Sequence, residues 1–229
     1  MTKNFKKALW VWLIAITMIF VTEFAQALPV LAWEGNVRAE RWTQELVDSV
    51  AFSKLPDIYP NDASSLCKEY ASKPRSQRVE FWAQLISVMV KWESNFKPET
   101  ILRECSKNRC IYSSCRYHPT YGYCMKGGHR LDGGLVISRG LGQMSFQSVL
   151  GYGCEVKTPQ DLHDPIKNLK CMVKMTEKLV SQDKQIMGRK LGKWAGVSRY
   201  WAVTRGVNDY TRKSLPAIQR YVKSRAICL

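Results

Sequence analysis

The chain has 229 residues, 45% of them hydrophobic and 24% charged, and carries a formal net charge of +16. That length supports one domain with a proper hydrophobic core and gives little reason for a second; repeats and low-complexity tracts are absent. The charge points to a polyanionic partner, because such a field speeds encounter with an anionic polymer and is screened by salt.

At the N-terminus, Lys3, Lys6 and Lys7 precede an apolar run from Ala8 to Val21, followed by Ala25-Gln26-Ala27. This is the basic region, apolar region and small-residue cleavage site of a secretory signal peptide, expected to span residues 1–27. The run is shorter than the roughly 20 apolar residues that cross a bilayer, so no stable membrane anchor is expected after cleavage. Removing Lys3, Lys6, Lys7 and Glu23 with the leader leaves +14 on the mature chain. Export, periplasmic or secreted, directs that charge away from nucleic acid and toward a cell wall, an anionic membrane face or an extracellular polysaccharide.

Residues 28–76 contain Pro29, Pro56 and Pro60 and read as an N-terminal packing extension with one short helix near Arg38 to Phe52. From about Gln77 to Trp92, the residues Trp82, Leu85, Ile86 and Met89 recur at helical spacing and predict an amphipathic helix, ended by Ser94, Asn95 and Pro98. Periodicity then disappears. The segment from about 104 to 135 is rich in Cys, Gly, Tyr and Arg and reads as a cross-linked loop or small hairpin insertion, with a hairpin near Gly127 to Ile137. A short helix follows Gly142 and closes around Gly151 to Gly153. Asp164-Pro165 opens another, with Asp as N-cap and Pro at the first helical position, and its stripe is Ile166, Leu169, Met172, Val173, Thr176 and Val180. Further helix is expected around Val197 to Val203 and Leu215 to Ser224. The fold class is mainly α.

Eight cysteines, Cys67, Cys105, Cys110, Cys115, Cys124, Cys154, Cys171 and Cys228, all follow the leader. An even count in an exported chain predicts four disulfides, whose pairing stays open. Cys105, Cys110, Cys115 and Cys124, with His118 and His129 nearby, lack the short two-residue Cys spacing usual for structural zinc. No metal and no cofactor are expected. Tyr112, Tyr117, Tyr121 and Tyr123 are candidates for stacking on sugar rings, or for local packing anchors.

Glu93 falls four residues after Met89 and seven after Ile86, on the apolar stripe and in the last helical turn. Desolvation and the negative end of the helix dipole both favour the protonated acid there, which prepares a glutamate to donate a proton near neutral pH.

Glu93-Ser94-Asn95-Phe96-Lys97-Pro98 resembles the first motif of the lytic transglycosylase and goose-type lysozyme family. Ser138-Arg139-Gly140-Leu141-Gly142-Gln143-Met144 is similar to its second, Asp164 to Leu169 to its third, and Arg199-Tyr200-Trp201-Ala202 and Gln219-Arg220-Tyr221-Val222 stand where its Tyr-Asn motif and C-terminal Tyr-Val helix occur. Four motifs in order are fairly specific. The resemblance covers about Arg78 to Arg225 and implies a lysozyme-like domain over 77–229, with Glu93 as the catalytic acid and Ser94, Gln143 and Tyr200 contacting substrate. Asp132, on a glycine-rich turn upstream of the second motif, resembles the aspartate with which goose-type enzymes orient a water; Asp-Gly is also ordinary hairpin chemistry.

The resemblance departs from the family at three points. Gly142 replaces a larger residue, which is expected to widen or soften the cleft. Trp201 replaces the Asn of Tyr-Asn. The interval from Glu93 to Gly140 is 47 positions, and its excess is the Cys-rich insertion, expected to wall or roof the cleft. The implied activity is cleavage of the β-1,4 bond between N-acetylmuramic acid and N-acetylglucosamine in peptidoglycan, by a transglycosylase with a single catalytic Glu. The alternatives are a muramidase using a second carboxylate and a non-catalytic cationic wall-binding protein. Glycan strands are the expected partner, and nothing in the sequence points to a particular protein partner.

Overall fold

The computed structural model describes residues 28–103 and 137–229, together with the backbone pairing of five short strands between them. The expected signal peptide and Asp132 lie outside the described residues, as do the side chains of the insertion's cysteines and tyrosines. The architecture is mainly α. Its helices are α1 (Glu40–Phe52), α2 (Ala63–Leu66), α3 (Arg75–Ser94), α4 (Phe146–Gly151), α5 (Pro165–Asp183) and α6 (Asp209–Lys223).

Helix α3 is the axis of the molecule. Every side chain from Phe81 to Val90 is at most 2% exposed, so the expected stripe is only one face of a helix covered all round. The cover comes from α1, α6 and the 3₁₀ turns Leu55–Asp57, Ala202–Thr204 and Ala226–Cys228. In α1, Trp42, Leu46 and Val50 recur every fourth residue and are all buried. In α6, Thr211, Ser214, Ile218 and Val222 form the buried face.

The N-terminal segment is therefore more than a packing extension. Leu31, Trp33, Leu55 and Tyr70 join the core, and two polar groups of α3 dock the N-terminal end of the segment. Gln84 donates from Nε2 to the Val30 carbonyl at 2.9 Å and accepts from the Tyr221 hydroxyl at 2.8 Å, while the Ser87 hydroxyl accepts the Ala32 amide at 3.2 Å. A buried amide or hydroxyl without such partners would cost about 1–3 kcal/mol, so these contacts fix where the segment lies. Its prolines and polar runs concealed this, because its apolar stretches are short and are buried by remote elements.

Helix α5 forms as the sequence predicts. Asp164 Oδ1 accepts the amides of Ile166 and Lys167 at 2.8 and 3.1 Å, Pro165 takes the first position, and Leu169, Met172, Val173, Thr176 and Val180 are buried. Helix α6 starts six residues before the expected Leu215. Asn208 caps it reciprocally with Thr211, and Pro216 sits inside on the exposed face, where the carbonyl it leaves without a helical partner can be hydrated.

The strands between α3 and α4 are β1 (Ile101–Arg103), β2 (Cys105–Ser106), β3 (Arg109–Cys110), β4 (Arg116–His118), β5 (Tyr123–Lys126), β6 (His129–Arg130), β7 (Ile137–Arg139) and β8 (Met144–Ser145). The expected hairpin near Gly127 to Ile137 is displaced: β5 and β6 pair with Lys126 opposite His129, whereas Ile137 pairs with Arg103 on β1. The β1–β7 ladder closes the base of the Cys-rich insertion, and β8 extends it to a three-stranded antiparallel sheet. A further hairpin, β9 (Arg189–Lys190) and β10 (Lys193–Trp194), follows α5.

Two disulfides are described. Cys67–Cys228 joins the turn after α2 to the C-terminus across 161 residues, and Cys154–Cys171 joins the chain after α4 to α5 across 17. Among the described residues, no helix is long and apolar enough to cross a membrane.

Candidate active site

Helix α3 ends sharply because Asn95 and Phe96 both adopt left-handed backbone, with φ of 51° and 62°. Asn tolerates this conformation and Phe does not, so Phe96 must be held by its surroundings. Its half-buried ring packs edge-to-face on Trp33 at 6.2 Å, and Trp33 in turn packs on Trp42 at 5.8 Å and donates from Nε1 to Thr43 Oγ1. The N-terminal segment thus buttresses the turn that presents Glu93. Glu93 itself is half-buried in the last turn of α3, among the carbonyl ends of the helix.

The turn is stitched to the second motif through Thr100. The Ser94 carbonyl accepts the Lys97 amide at 3.2 Å and the Thr100 hydroxyl at 3.4 Å. The Thr100 carbonyl then accepts the Gly140 amide at 3.0 Å and Gln143 Nε2 at 3.1 Å. His163, just before α5, donates from Nδ1 to the Pro98 carbonyl at 2.9 Å. Residues of the first and second motifs, 47 positions apart from Glu93 to Gly140, therefore share one hydrogen-bonded junction.

The Gly140–Gln143 loop is clamped from the other side by Asn168, whose side chain is completely buried. Its Oδ1 accepts the Gly142 amide at 2.8 Å, and its Nδ2 donates to the Leu162 carbonyl at 2.7 Å and to that of Arg139 at 3.3 Å. Gly140 is required: its φ is +77°, and a Cβ there would lie 1.9 Å from the Leu162 carbonyl oxygen. Gly142 does not widen the cleft as expected. A Cβ there would lie 2.5 Å from Met172 Sδ, so a side chain of α5 already fills the space.

Tyr200 and Trp201 complete the clamp. The Trp201 indole, 1% exposed, donates to the Gly142 carbonyl at 2.9 Å, and the Tyr200 hydroxyl accepts the Ser145 amide at 2.9 Å. Trp201 is thus a strut beneath the Gly140–Gln143 loop. The Tyr200 ring, half-buried, packs edge-on between Tyr152 and Trp201 at 6.5 and 5.1 Å.

Of the expected substrate contacts, Ser94 is 5% exposed and its hydroxyl turns back to the Val90 carbonyl at 3.3 Å. Gln143, 6% exposed with φ of 46°, donates from Nε2 to Thr100 and Gly140, and its Oε1 is buried without a hydrogen-bond partner. The arrangement can present one half-buried carboxyl group beside a rigid, backbone-rich loop.

No family model matches the chain, and no curated protein matches it. Solved structures of Bd0314 DslA do match: the wild-type form has a TM-score of 0.71 and 31% identity, over 89% of this chain and 100% of that one. This chain belongs to the DslA family. Two further DslA structures, at 31% and 30% identity and the same coverage and TM-score, each carry one glutamate-to-glutamine substitution. In this DslA relative, reading the sequence missed three groups that shape the site. Asn168 was legible only as part of the α5 start. Trp33 and Tyr210 offered no local signal, because each acts on the Glu93 turn from a distant part of the chain. Tyr210 donates its hydroxyl to the Trp92 carbonyl and packs edge-on against the Trp92 ring at 5.7 Å. Burial first, and the negative charge of Glu93 second, push its phenol above the ordinary tyrosine range.

Proposed function

We propose that this protein is an exported peptidoglycan-cleaving enzyme that acts on the β-1,4 bond between N-acetylmuramic acid and N-acetylglucosamine, with Glu93 as general acid. The observation that carries this reading is the junction at Thr100, which brings the Glu93 turn and the Gly140–Gln143 loop to one place. The resemblance of both segments to the lytic transglycosylase and goose-type lysozyme motifs supports it, as does the basic charge suited to an anionic wall.

In the proposed reaction the Glu93 carboxyl protonates the glycosidic oxygen as the bond to muramic acid C1 breaks through an oxocarbenium-like state. Glu93 is half-buried and sits in the last turn of α3. The muramic acid 6-hydroxyl then attacks C1 and returns its proton to the Glu93 carboxylate, leaving a 1,6-anhydro end and a regenerated acid. Only one carboxylate is used.

A second reading, hydrolysis with a second carboxylate, draws on the DslA variants. Their substituted glutamates are eleven positions apart in that chain. Here the same spacing separates Glu93 from Glu104; of the pairs with this spacing, which include Glu34 with Glu45 and Glu69 with Glu80, it is the one that starts at the helix-end glutamate. Glu104 and Asp132, both outside the described residues, are the candidates for orienting water. Mass spectrometry of products released from purified sacculi separates the readings. Anhydro ends are expected. Reducing ends, with a large loss of rate in Glu104→Gln or Asp132→Asn, would select hydrolysis.

A further inference from the structure

We infer that Tyr210 is a positioning residue for Glu93: from the first turn of α6 its hydroxyl holds the Trp92 carbonyl and its ring braces the Trp92 side chain, fixing the last turn of α3. The inference rests on the role of Glu93 proposed above.

The need for such a group follows from how α3 stops. The last four carbonyls of any helix lack intrahelical amides and must find other partners. The Asn95 amide closes onto Lys91, the chain then turns left-handed at Asn95 and Phe96, and the Lys97 amide bonds to Ser94. Trp92 is skipped. Its carbonyl, one residue before the proposed acid, takes the Tyr210 hydroxyl instead. A frayed last turn would swing Glu93 relative to the Gly140–Gln143 loop, and displacements of about 1 Å at a reacting group cost up to about 100-fold in rate.

Tyr210 is well placed to act as a fixed strut. Asn208 and Thr211 cap α6 on either side of it, so its backbone is anchored. Half of its surface remains exposed, at 53%, so core packing does not account for it. Burial, the larger cause, keeps its phenol protonated and so preserves the donor whatever the state of the acid.

The test is Tyr210→Phe, which keeps the ring on Trp92 and removes only the donor. Against wild type and Glu93→Gln on the same sacculi, kcat is expected to fall about 10- to 100-fold with KM within about twofold, and the melting temperature to stay within about 4 °C. Amide exchange at residues 93–96 should accelerate about tenfold, with exchange across Phe81–Val90 unchanged. Wild-type kcat together with unchanged exchange at the turn would overturn the inference. If wild-type protein cleaves no glycan, the proposed function fails, and the exchange measurement alone decides the strut: acceleration supports it and no change refutes it.

Discussion

Replacing Asn168 with Leu tests the clamp beneath the second motif. The side chain is fully buried and satisfies three backbone groups: the Gly142 amide at 2.8 Å and the carbonyls of Leu162 and Arg139 at 2.7 and 3.3 Å. Leucine is close in volume, so little cavity is created and the loss is almost entirely polar. Each buried backbone group left unpaired costs about 1–3 kcal/mol, and the long Arg139 contact counts least, which gives about 3–5 kcal/mol in all. For a domain of this size that is a fall in melting temperature of about 10 °C or more. Asn168→Asp should do no better: it keeps the acceptor for Gly142 but turns a carboxylate toward two carbonyl oxygens in a buried site. Urea unfolding, with the midpoint and the m-value both recorded, measures the effect. A loss below about 1 kcal/mol at unchanged m-value would refute the idea that Asn168 holds the loop.

Other consequences follow from named contacts. Converting Cys67 and Cys228 to Ser should destabilise by about 5 kcal/mol, and converting Cys154 and Cys171 by about 3 kcal/mol, because the chain-entropy penalty grows with loops of 161 and 17 residues; equal losses in denaturant unfolding would contradict this. Tyr70 is buried and its phenol is pushed up to about 12, with desolvation the main cause. Because the native state holds that proton more tightly than the unfolded chain, the stability it contributes is complete below about pH 10 and lost as pH rises toward 12, up to about 3 kcal/mol. Tyr70→Phe should remove that portion of the alkaline loss in a pH series of unfolding curves; an unchanged alkaline slope would show that other groups carry it. Gly140→Ala should fail to fold stably, since its Cβ meets backbone at 1.9 Å; a normal thermal melt would show that the loop can shift.

Local chemistry made part of this architecture legible. Asp164-Pro165 announces α5, and the apolar run through Trp82 and Met89 announces α3, because capping and periodicity act over a few residues. The position of Glu93 at the end of α3 follows from Asn95 and Pro98 in the same way. What stayed hidden depends on contacts between segments far apart in sequence. Leu31, Trp33 and Leu55 lie in short apolar stretches that read only as a packing extension, because their burial depends on the rest of the core. The partner of Ile137 on β1 lies across the whole insertion, so the hairpin at Gly127 forms between β5 and β6 without reaching Ile137. Helix was expected only from about Leu215, yet α6 starts at Asp209 because Asn208 caps it and Pro216 is tolerated on the exposed face. The space at Gly142 could not be judged without knowing that Met172 fills it. Trp33, Asn168 and Tyr210 act on the site by packing and hydrogen bonding across the fold, which no spacing rule reports.

The central claim is that Glu93 delivers the proton that breaks the glycan strand, and Glu93→Gln tests it most directly. Glutamine is nearly isosteric but has no acidic proton to give. Release of soluble fragments from purified sacculi should fall by several orders of magnitude, while sacculus binding and the thermal melt remain those of wild type. Near wild-type release by a folded Glu93→Gln protein would contradict the account.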